Sequence, residues 1–505
     1  MVAMAPRRST GSSHLSSHPA NGAVVTRAAA TVTATTVERL RTAIAGGTFA
    51  PGTRLPSVRE LARQWSISIN TVIAAYRQLE QAGLAQAEPR AGFRVLPPVQ
   101  AQALPRTPAA SDTPVPIDLG DLMTRALRNR DVAGMVSLGL AIPRPALLPL
   151  APLRRHLQRI VRETPELCAT YDGPLGNATL RRAIARRLAL AGAVVDPERI
   201  LITNGAQEGL LVALRATCPP GSCVALESPA YHGLIQAIGA LGLSCLEIPS
   251  STVSGLSLEA LRLALDDHPV AAVLCTATFS NPAGGSIPLT GQCELVALCA
   301  QRGIPLIDDD TYGDLAHDGH RPALCLAQDR DGTVVHVGSY AKSIAPGLRI
   351  GFVVAGRWLQ EAVTQKVVLN ITTGTLPQLA VAAMLDSGDF DRHWQRTAPR
   401  LRDHVQRCAA QVRRVFPAGT RVSAPAGGLV LWVEMPVEVD ADRLYADGIR
   451  AKVCVAPGTL FSARKRYRHH LRLTAAWWDE AVEQAITRLG ALAQHQVRQR
   501  ARTAR

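Results

Sequence analysis

Five short apolar runs recur in the middle of the chain: ILIT (200–203), CVALE (223–227), AAVLC (271–275), IPLID (304–308) and VVHV (334–337). Stretches long enough for helices separate them. That spacing implies β-α units, hence a mostly parallel sheet with helices on both faces. Ligands of such sheets bind where the carboxyl ends of strands meet helix N-termini. The polar clusters fall at those ends: Asn204-Gly205-Ala206-Gln207 after ILIT, Asp308-Asp309-Asp310 after IPLI, and Ser339-Tyr340-Ala341-Lys342 after VVHVG. A chain of 505 residues, 47% hydrophobic and 19% charged, has the composition of a globular protein with room for more than one domain.

Lys342 stands out because the chain has only four lysines among its 55 basic residues. A buried lysine at a strand end loses its proton readily and attacks a carbonyl to form a Schiff base, which an arginine cannot do. An Asp at another strand end can hold a pyridine nitrogen protonated. A Gly-Ala-Gln turn at a helix N-terminus binds phosphate through backbone N–H groups, and Ser339 with Arg349 can add a hydroxyl and a guanidinium. Phosphate, aldehyde and pyridine together point to pyridoxal 5′-phosphate.

Composition shifts elsewhere divide the chain. Residues 1–34, rich in Ser, Ala and Thr, read as a disordered tail. Residues 35–96 carry dense helix signals: a capping box at Thr35 and Glu38, a second at Ser57 and Glu60, the turn Ser66-Ile67-Ser68, then an apolar stripe of Val72, Ala75, Tyr76 and Leu79. The alternating stretch around Gly92 reads as a hairpin, so the order is that of a winged helix. Eight arginines against four glutamates in this segment, with Ser68, Asn70 and Thr71 at the start of the second helix of the turn, favour the major groove of double-stranded DNA over a protein-binding surface. Arg54, Arg59 and Arg94 can hold phosphates. Six prolines in 97–116 predict a semi-stiff linker over 97–117. A large body follows over 118–493, and residues 494–505 read as a solvated basic tail.

The formal charge of +15 agrees with a polyanionic partner. Ten cysteines without a C-x-x-C pair speak against a zinc site or a disulfide framework and for reduced thiols, hence a cytoplasmic protein without a metal. Arg7-Arg8 is not followed by an apolar stretch, so no signal peptide is expected, and no run has the roughly 18 apolar residues of a membrane helix.

Residues 51–84 and 90–95, PGTRLPSVRELARQWSISINTVIAAYRQLEQAGL and RAGFRV, resemble the GntR-type winged helix. Residues 118–493 are similar to fold-type I aminotransferases as fused in the MocR subfamily of GntR regulators, through YDGPLGNATLRRAIA, NGAQEGL, ESPAYHG, NPAGG, DDDTYGDL, SYAKSIAPGLRIGF and HHLRLT in that order. The resemblance implies an α/β protein: a winged helix-turn-helix plus an aminotransferase-like domain with a smaller C-terminal α/β subdomain. It implies DNA contacts by Arg54, Arg59, Ser68, Asn70, Thr71 and Gly92. It makes Lys342 the aldimine lysine and pairs Asp309 with the pyridine nitrogen. Tyr312 and Asn281 then face the ring oxygen, Tyr231 stacks on the ring, and Gly205, Ala206, Gln207, Ser339 and Arg349 hold the phosphate. Tyr171 reaches the phosphate of a neighbouring subunit in a homodimer, head-to-tail or otherwise arranged, and Arg472 binds a ligand carboxylate, its alternative being a structural ion pair. Departures from the family pattern are Ile69, where many relatives carry Arg, Ala141 near the substrate, and Ala341 before the lysine.

Three functions remain open from these residues. The first is a transcription regulator that senses the cofactor, or an amine or amino acid through aldimine formation. The second is an aminotransferase with a DNA-binding head. The third, a DNA-binding protein with a dead enzyme domain, predicts loss of Lys342 or Asp309, and both are present.

Overall fold

The structure, a computed structural model, describes residues 22–50, 52–81, 84–88, 92–95, 103–110, 113–117 and 132–503. Contacts divide the chain into two compact units, 1–102 and 103–505.

In the first unit a helix over Gly22–Ala45 packs Val37 and Leu40 inward and stops before Gly47, whose φ of 77° suits only glycine well. The helix begins well before the expected cap, so Thr35 and Glu38 lie in its interior and the described part of the 1–34 tail is helical. The run Ala28-Ala29-Ala30 and Ala34 explain this, since alanine is the best helix former whatever its polarity pattern. Residues 1–21 of the expected tail lie outside the described residues. Ser57 caps Val58–Trp65 through the Glu60 N–H, and Ser66 closes that helix in the left-handed region. The Ser68 hydroxyl accepts from the Thr71 N–H at 3.0 Å at the start of Ile69–Gln81. Strands Ala85–Glu88 and Gly92–Val95 pair antiparallel, Ala85 opposite Val95. Leu40, Leu61, Val72, Tyr76, Leu79 and Val95 form the common core.

The second unit is built on a mixed sheet in the order Val115–Pro116, Ser244–Ser251, Cys223–Ser228, Val270–Cys275, Leu306–Asp310, Val334–Ser339, Gly351–Val354, Ile200–Thr203. Neighbours from Ser244–Ser251 to Val334–Ser339 run parallel, and Gly351–Val354 is antiparallel to both of its neighbours. Adjacent residues feed opposite cores, as with Val224 beside Leu210 and Ile235 on one face and Ala225 beside Val273 and Leu295 on the other. A sheet covered on both sides has continuous apolar strands, which is why those runs were legible.

The proline-rich stretch is only partly a spacer. Val115–Pro116 forms the edge strand, the Arg106 N–H donates to Glu434 at 2.7 Å, and Arg466 Nη1 reaches Ala109 O at 3.0 Å. Proline fits here because an edge strand leaves one N–H row unused. Residues 97–102, 111–112 and 118–131 lie outside the described residues. The smaller subdomain is a four-stranded antiparallel sheet (Arg421–Val422, Val430–Glu434, His470–Thr474, Ala456–Pro457) against helices Asp389–Val415 and Glu480–Thr503. That last helix corrects the reading of 494–505 as a tail through Thr503. Gln496 is buried and accepts the Asp440 N–H at 2.9 Å, so arginines occupy only the outer face. Residues 504–505 lie outside the described ones.

Leu79 is fully buried in the small first core. Leu79→Ala is expected to cost about 2–5 kcal/mol, enough to unfold a unit of this size. Calorimetry should lose or lower one transition and keep that of the second unit, and gel retardation of DNA should disappear with it.

Candidate functional site

Parallel strands that end side by side bring their last residues to one edge of the sheet, and there a cavity of about 410 Å³ opens. Asp309 comes from the end of Leu306–Asp310 and Ser339 from the last position of Val334–Ser339. Lys342 follows in the next turn, while Ala206 and Gln207 begin the helix Ala206–Thr217. Tyr231, Asn281, Tyr312, Arg349 and Arg472 complete the expected set around the same cavity. Gly205 stands at the N-cap with φ 80°, and a Cβ there would lie 2.6 Å from Arg349 Nη2. The turn therefore needs glycine for both backbone and space.

The geometry is specific. Lys342 Nζ donates to Ala141 O at 2.8 Å, and Arg349 Nη2 donates to Asn204 O at 3.1 Å. Arg472 is 1% exposed; its Nη1 donates to Asn281 Oδ1 at 3.0 Å, another of its nitrogens donates to Gly139 O, and its Nε has no partner. Among the described residues Arg472 makes no ion pair; its structural partners are the Asn281 and Gly139 oxygens. Asn281 Nδ2 donates to Tyr312 OH at 3.4 Å. Asp309 accepts from the Thr311 N–H at 3.2 Å and hydroxyl at 2.5 Å, which fixes the carboxylate toward the cavity. Tyr171 is different. It is 81% exposed and does not line the cavity.

Burial sets the protonation states. Desolvation, helped by the cations Arg472 and Arg349, pulls the Lys342 pKa down to about 8. Burial pushes Asp309 up to about 6, opposed by the Thr311 hydrogen bond. Three cations face one carboxylate, so the cavity fits an anion, and its orphaned Arg472 Nε and Cβ-free Gly205 turn supply the donors and the room that a phosphate and a carboxylate require.

Several lining residues escaped sequence reasoning. Ala141 stood out only as a departure near the substrate, yet its carbonyl holds the lysine. His232 and Gln236, one turn apart on His232–Ala240, also face the cavity. His232 Nδ1 is buried without a partner, and burial keeps the ring neutral. Adjacency to Tyr231 was the available signal for His232. Gln236, Leu140 and Ile142 gave none.

In the first unit Arg54, Arg59, Ser68, Asn70 and Gly92 are exposed and Thr71 is half-buried. Ile69 stands 49% exposed between Ser68 and Asn70. Arg94 is not free for phosphate: its Nε donates to Glu88 at 2.5 Å and another nitrogen donates to Gly52 O. Arg54 lies 3.6 Å from the same carboxylate. Among the described residues no cluster of three or more His, Cys, Asp or Glu could hold a metal ion, and no helix is long and apolar enough to cross a membrane.

Comparison with known proteins agrees with this geometry. Residues 144–489 match the family described as aminotransferase class I and II, and residues 33–95 match the gntR family of bacterial regulatory proteins. The chain is 34% identical over 462 residues to the uncharacterized HTH-type transcriptional regulator YdcR of Escherichia coli K12, covering 91% of this chain and 98% of that one. It is 31% identical to the 2-aminoadipate transaminase of Thermus thermophilus over 71% of this chain and 89% of that enzyme. The crystal structure of LysN, the α-aminoadipate aminotransferase of Thermus thermophilus complexed with N-(5′-phosphopyridoxyl)-L-leucine, superposes with a TM-score of 0.69 at 29% identity, covering 75% of this chain and 98% of that one.

With a pKa of about 8, roughly a tenth of Lys342 is free amine at pH 7, against well under a thousandth for an ordinary lysine. Labelling of cofactor-free protein with an amine-reactive reagent, followed by peptide mass analysis, should modify Lys342 with a midpoint near pH 8. A midpoint at Lys342 no lower than that of an ordinary lysine amine would refute the desolvated amine.

Proposed function

Because the chain belongs to the MocR-type regulators, a GntR winged helix fused to a pyridoxal 5′-phosphate-dependent aminotransferase class I and II domain, we propose that it regulates transcription by sensing that cofactor, an amine or amino acid, or both. One observation carries the reading: a desolvated lysine amine and a buried carboxylate share a cavity in the same chain as an exposed, polar helix end suited to DNA.

When bound, the cofactor supplies an aldehyde that condenses with amines and a ring that accepts electrons. The chain's own groups supply the rest. Gly205, Ala206, Gln207, Ser339 and Arg349 bind the phosphate, the backbone N–H groups at the helix start aligning with a positive dipole end. Asp309 holds a proton at the ring nitrogen, and its own affinity for protons, raised by burial, keeps that hydrogen bond strong. Tyr231 packs on the ring face. Asn281 and Tyr312, already hydrogen-bonded to each other, face the ring oxygen. The Lys342 Nζ, which releases its proton near pH 8, would present a free amine to the cofactor's aldehyde. Arg472 takes the effector's carboxylate, which replaces the Asn281 and Gly139 oxygens as partner.

On the DNA side Arg54 and Arg59 hold phosphates while Ser68, Asn70 and Thr71 read base edges and Gly92 brings the wing close. The exposure of Tyr171 (81%), Val368 (72%) and Ile371 (55%) supports a homodimer, in which Tyr171 completes the neighbour's phosphate site and two heads meet two half-sites. Such a regulator works in the cytoplasm, where its thiols stay reduced. A second reading, slow transamination by the same cavity, is favoured by the retention of both Lys342 and Asp309.

Hydride reduction of cofactor-saturated protein should leave the phosphopyridoxyl mass on the Lys342 peptide, and Lys342→Ala should carry none. An adduct elsewhere would remove the assignment. Arg59→Ala should weaken retardation of the chain's own upstream DNA and lower the salt slope by about one, leaving cofactor binding as in wild type. Unchanged retardation would show the wrong DNA face was chosen. Gel shifts with and without pyridoxal phosphate and candidate amines separate regulator from enzyme.

A further inference from the structure

Lys366, another of the four lysines, is 0% exposed and lies outside the cavity lining. Its three N–H donors have three acceptors: Glu208 Oε1 at 2.6 Å, Asn370 Oδ1 at 2.7 Å and Thr373 Oγ at 2.8 Å. The tetrahedral ammonium suits this arrangement, which a planar guanidinium could not copy.

The other Glu208 oxygen accepts from the Asn204 backbone N–H at 3.0 Å and from Asn370 Nδ2 at 2.9 Å. Asn204 opens the Gly205 turn, and its carbonyl receives Arg349 Nη2. A line of hydrogen bonds therefore runs from Lys366 through Glu208 to the N–H of Asn204, the residue beside the phosphate-binding turn whose carbonyl Arg349 engages. The far side is also fixed. Ile371 has φ 63° and ψ −67°, with the Thr372 N–H donating to Asn370 O at 2.6 Å, a γ-turn that a β-branched residue adopts rarely. It brings Thr373 beneath the ammonium, where the hydroxyl donates onward to Ile202 O at 3.4 Å.

A buried ion pair seldom adds stability over a well-packed apolar pair. What this one adds is orientation, because each of its bonds ends on the turn, on the strand before it, or on the helix end facing them. We propose that Lys366 is a positioning residue for phosphate recognition: through Glu208 it sets the Asn204-Gly205 turn and the Arg349 guanidinium. The proposal rests on the cofactor reading above and assigns a role to a residue that does not touch the cofactor.

The test compares pyridoxal phosphate with pyridoxal, which has the same aldehyde and ring and no phosphate. Apo-protein of wild type and Lys366→Met is titrated with each, followed by absorbance. Pyridoxal phosphate affinity should fall about ten- to a hundredfold, the range for loss of partners that orient ligand-holding groups, and pyridoxal affinity should stay within about twofold. Equal loss for both would mean a merely structural lysine, and no loss for either would equally overturn the proposal. Glu208→Gln, which keeps an oxygen for the Asn204 N–H and loses the charge, covers the case in which Lys366→Met does not fold. It should show the same selective loss, and wild-type binding in that variant would refute the role. Wild-type apo-protein that binds neither compound would instead remove the cofactor reading, and this proposal with it.

Discussion

Desolvation of one amine governs the second unit. Lys342 is held by a carbonyl, Ala141 O, rather than by a carboxylate, so burial and two arginines outweigh the favourable but unbonded charge of Asp309. Pairing with Asp309 would have been the cheaper arrangement, raising the lysine pKa and making the amine inert. The strand ends keep the two apart by giving Asp309 its own donors in Thr311. A reactive base and a proton-holding acid thus survive in one cavity because each is satisfied by neutral groups.

The same strand also shows how the site is braced. Asp308 and Asp310 point to the opposite face from Asp309. There Asp308 accepts the Ala277 N–H at 3.1 Å, Asp310 pairs with Arg321, and Arg321 joins Asp314 at 2.5 Å. Asp314 in turn meets Arg187 at 2.8 Å. Three consecutive aspartates, which in isolation suggest a solvated loop, are instead a buried strand end with charge resolved on one face and function on the other. Removing one partner of such a network leaves the rest buried and unpaired, so the whole acts as one rigid support.

Much of this was readable from residue order, because strand ends, the glycine turn and the single lysine carry local signatures. The ten expected lining positions meet around one cavity because they flank or lie within the strand-like runs whose ends the sheet gathers. Three features were not readable for physical reasons. The helix over 22–34 has no apolar stripe and depends on alanine propensity, which polarity patterns ignore. The last helix hides its packed face behind arginines, with Gln496 as the buried contact. Lys366 and Glu208 are 158 residues apart, and although Glu208 lies inside NGAQEGL, nothing local marks Lys366 as its partner. Interactions between distant segments leave no local trace, and these decide how well the local motifs are held.

The Arg349 end of the cavity is its open side. Arg349 is exposed although it faces the cavity, whereas Arg472 at the opposite end is sealed. Tyr171 and the apolar residues near Ile371 lie on the exposed surface, and Thr372 Oγ joins them to Gly173 O at 3.3 Å. On the dimer reading, a second chain would cover this side, so cofactor retention and association draw on the same surface and each must strengthen the other. The Lys366 cluster stands between the two, with Glu208 on the turn and Asn370 and Thr373 on the segment that carries the exposed face. A ligand that moves the turn has a short, fully hydrogen-bonded route to that surface. Such a route gives a sensor what an enzyme does not need: an occupancy-dependent difference at the place where two chains would meet.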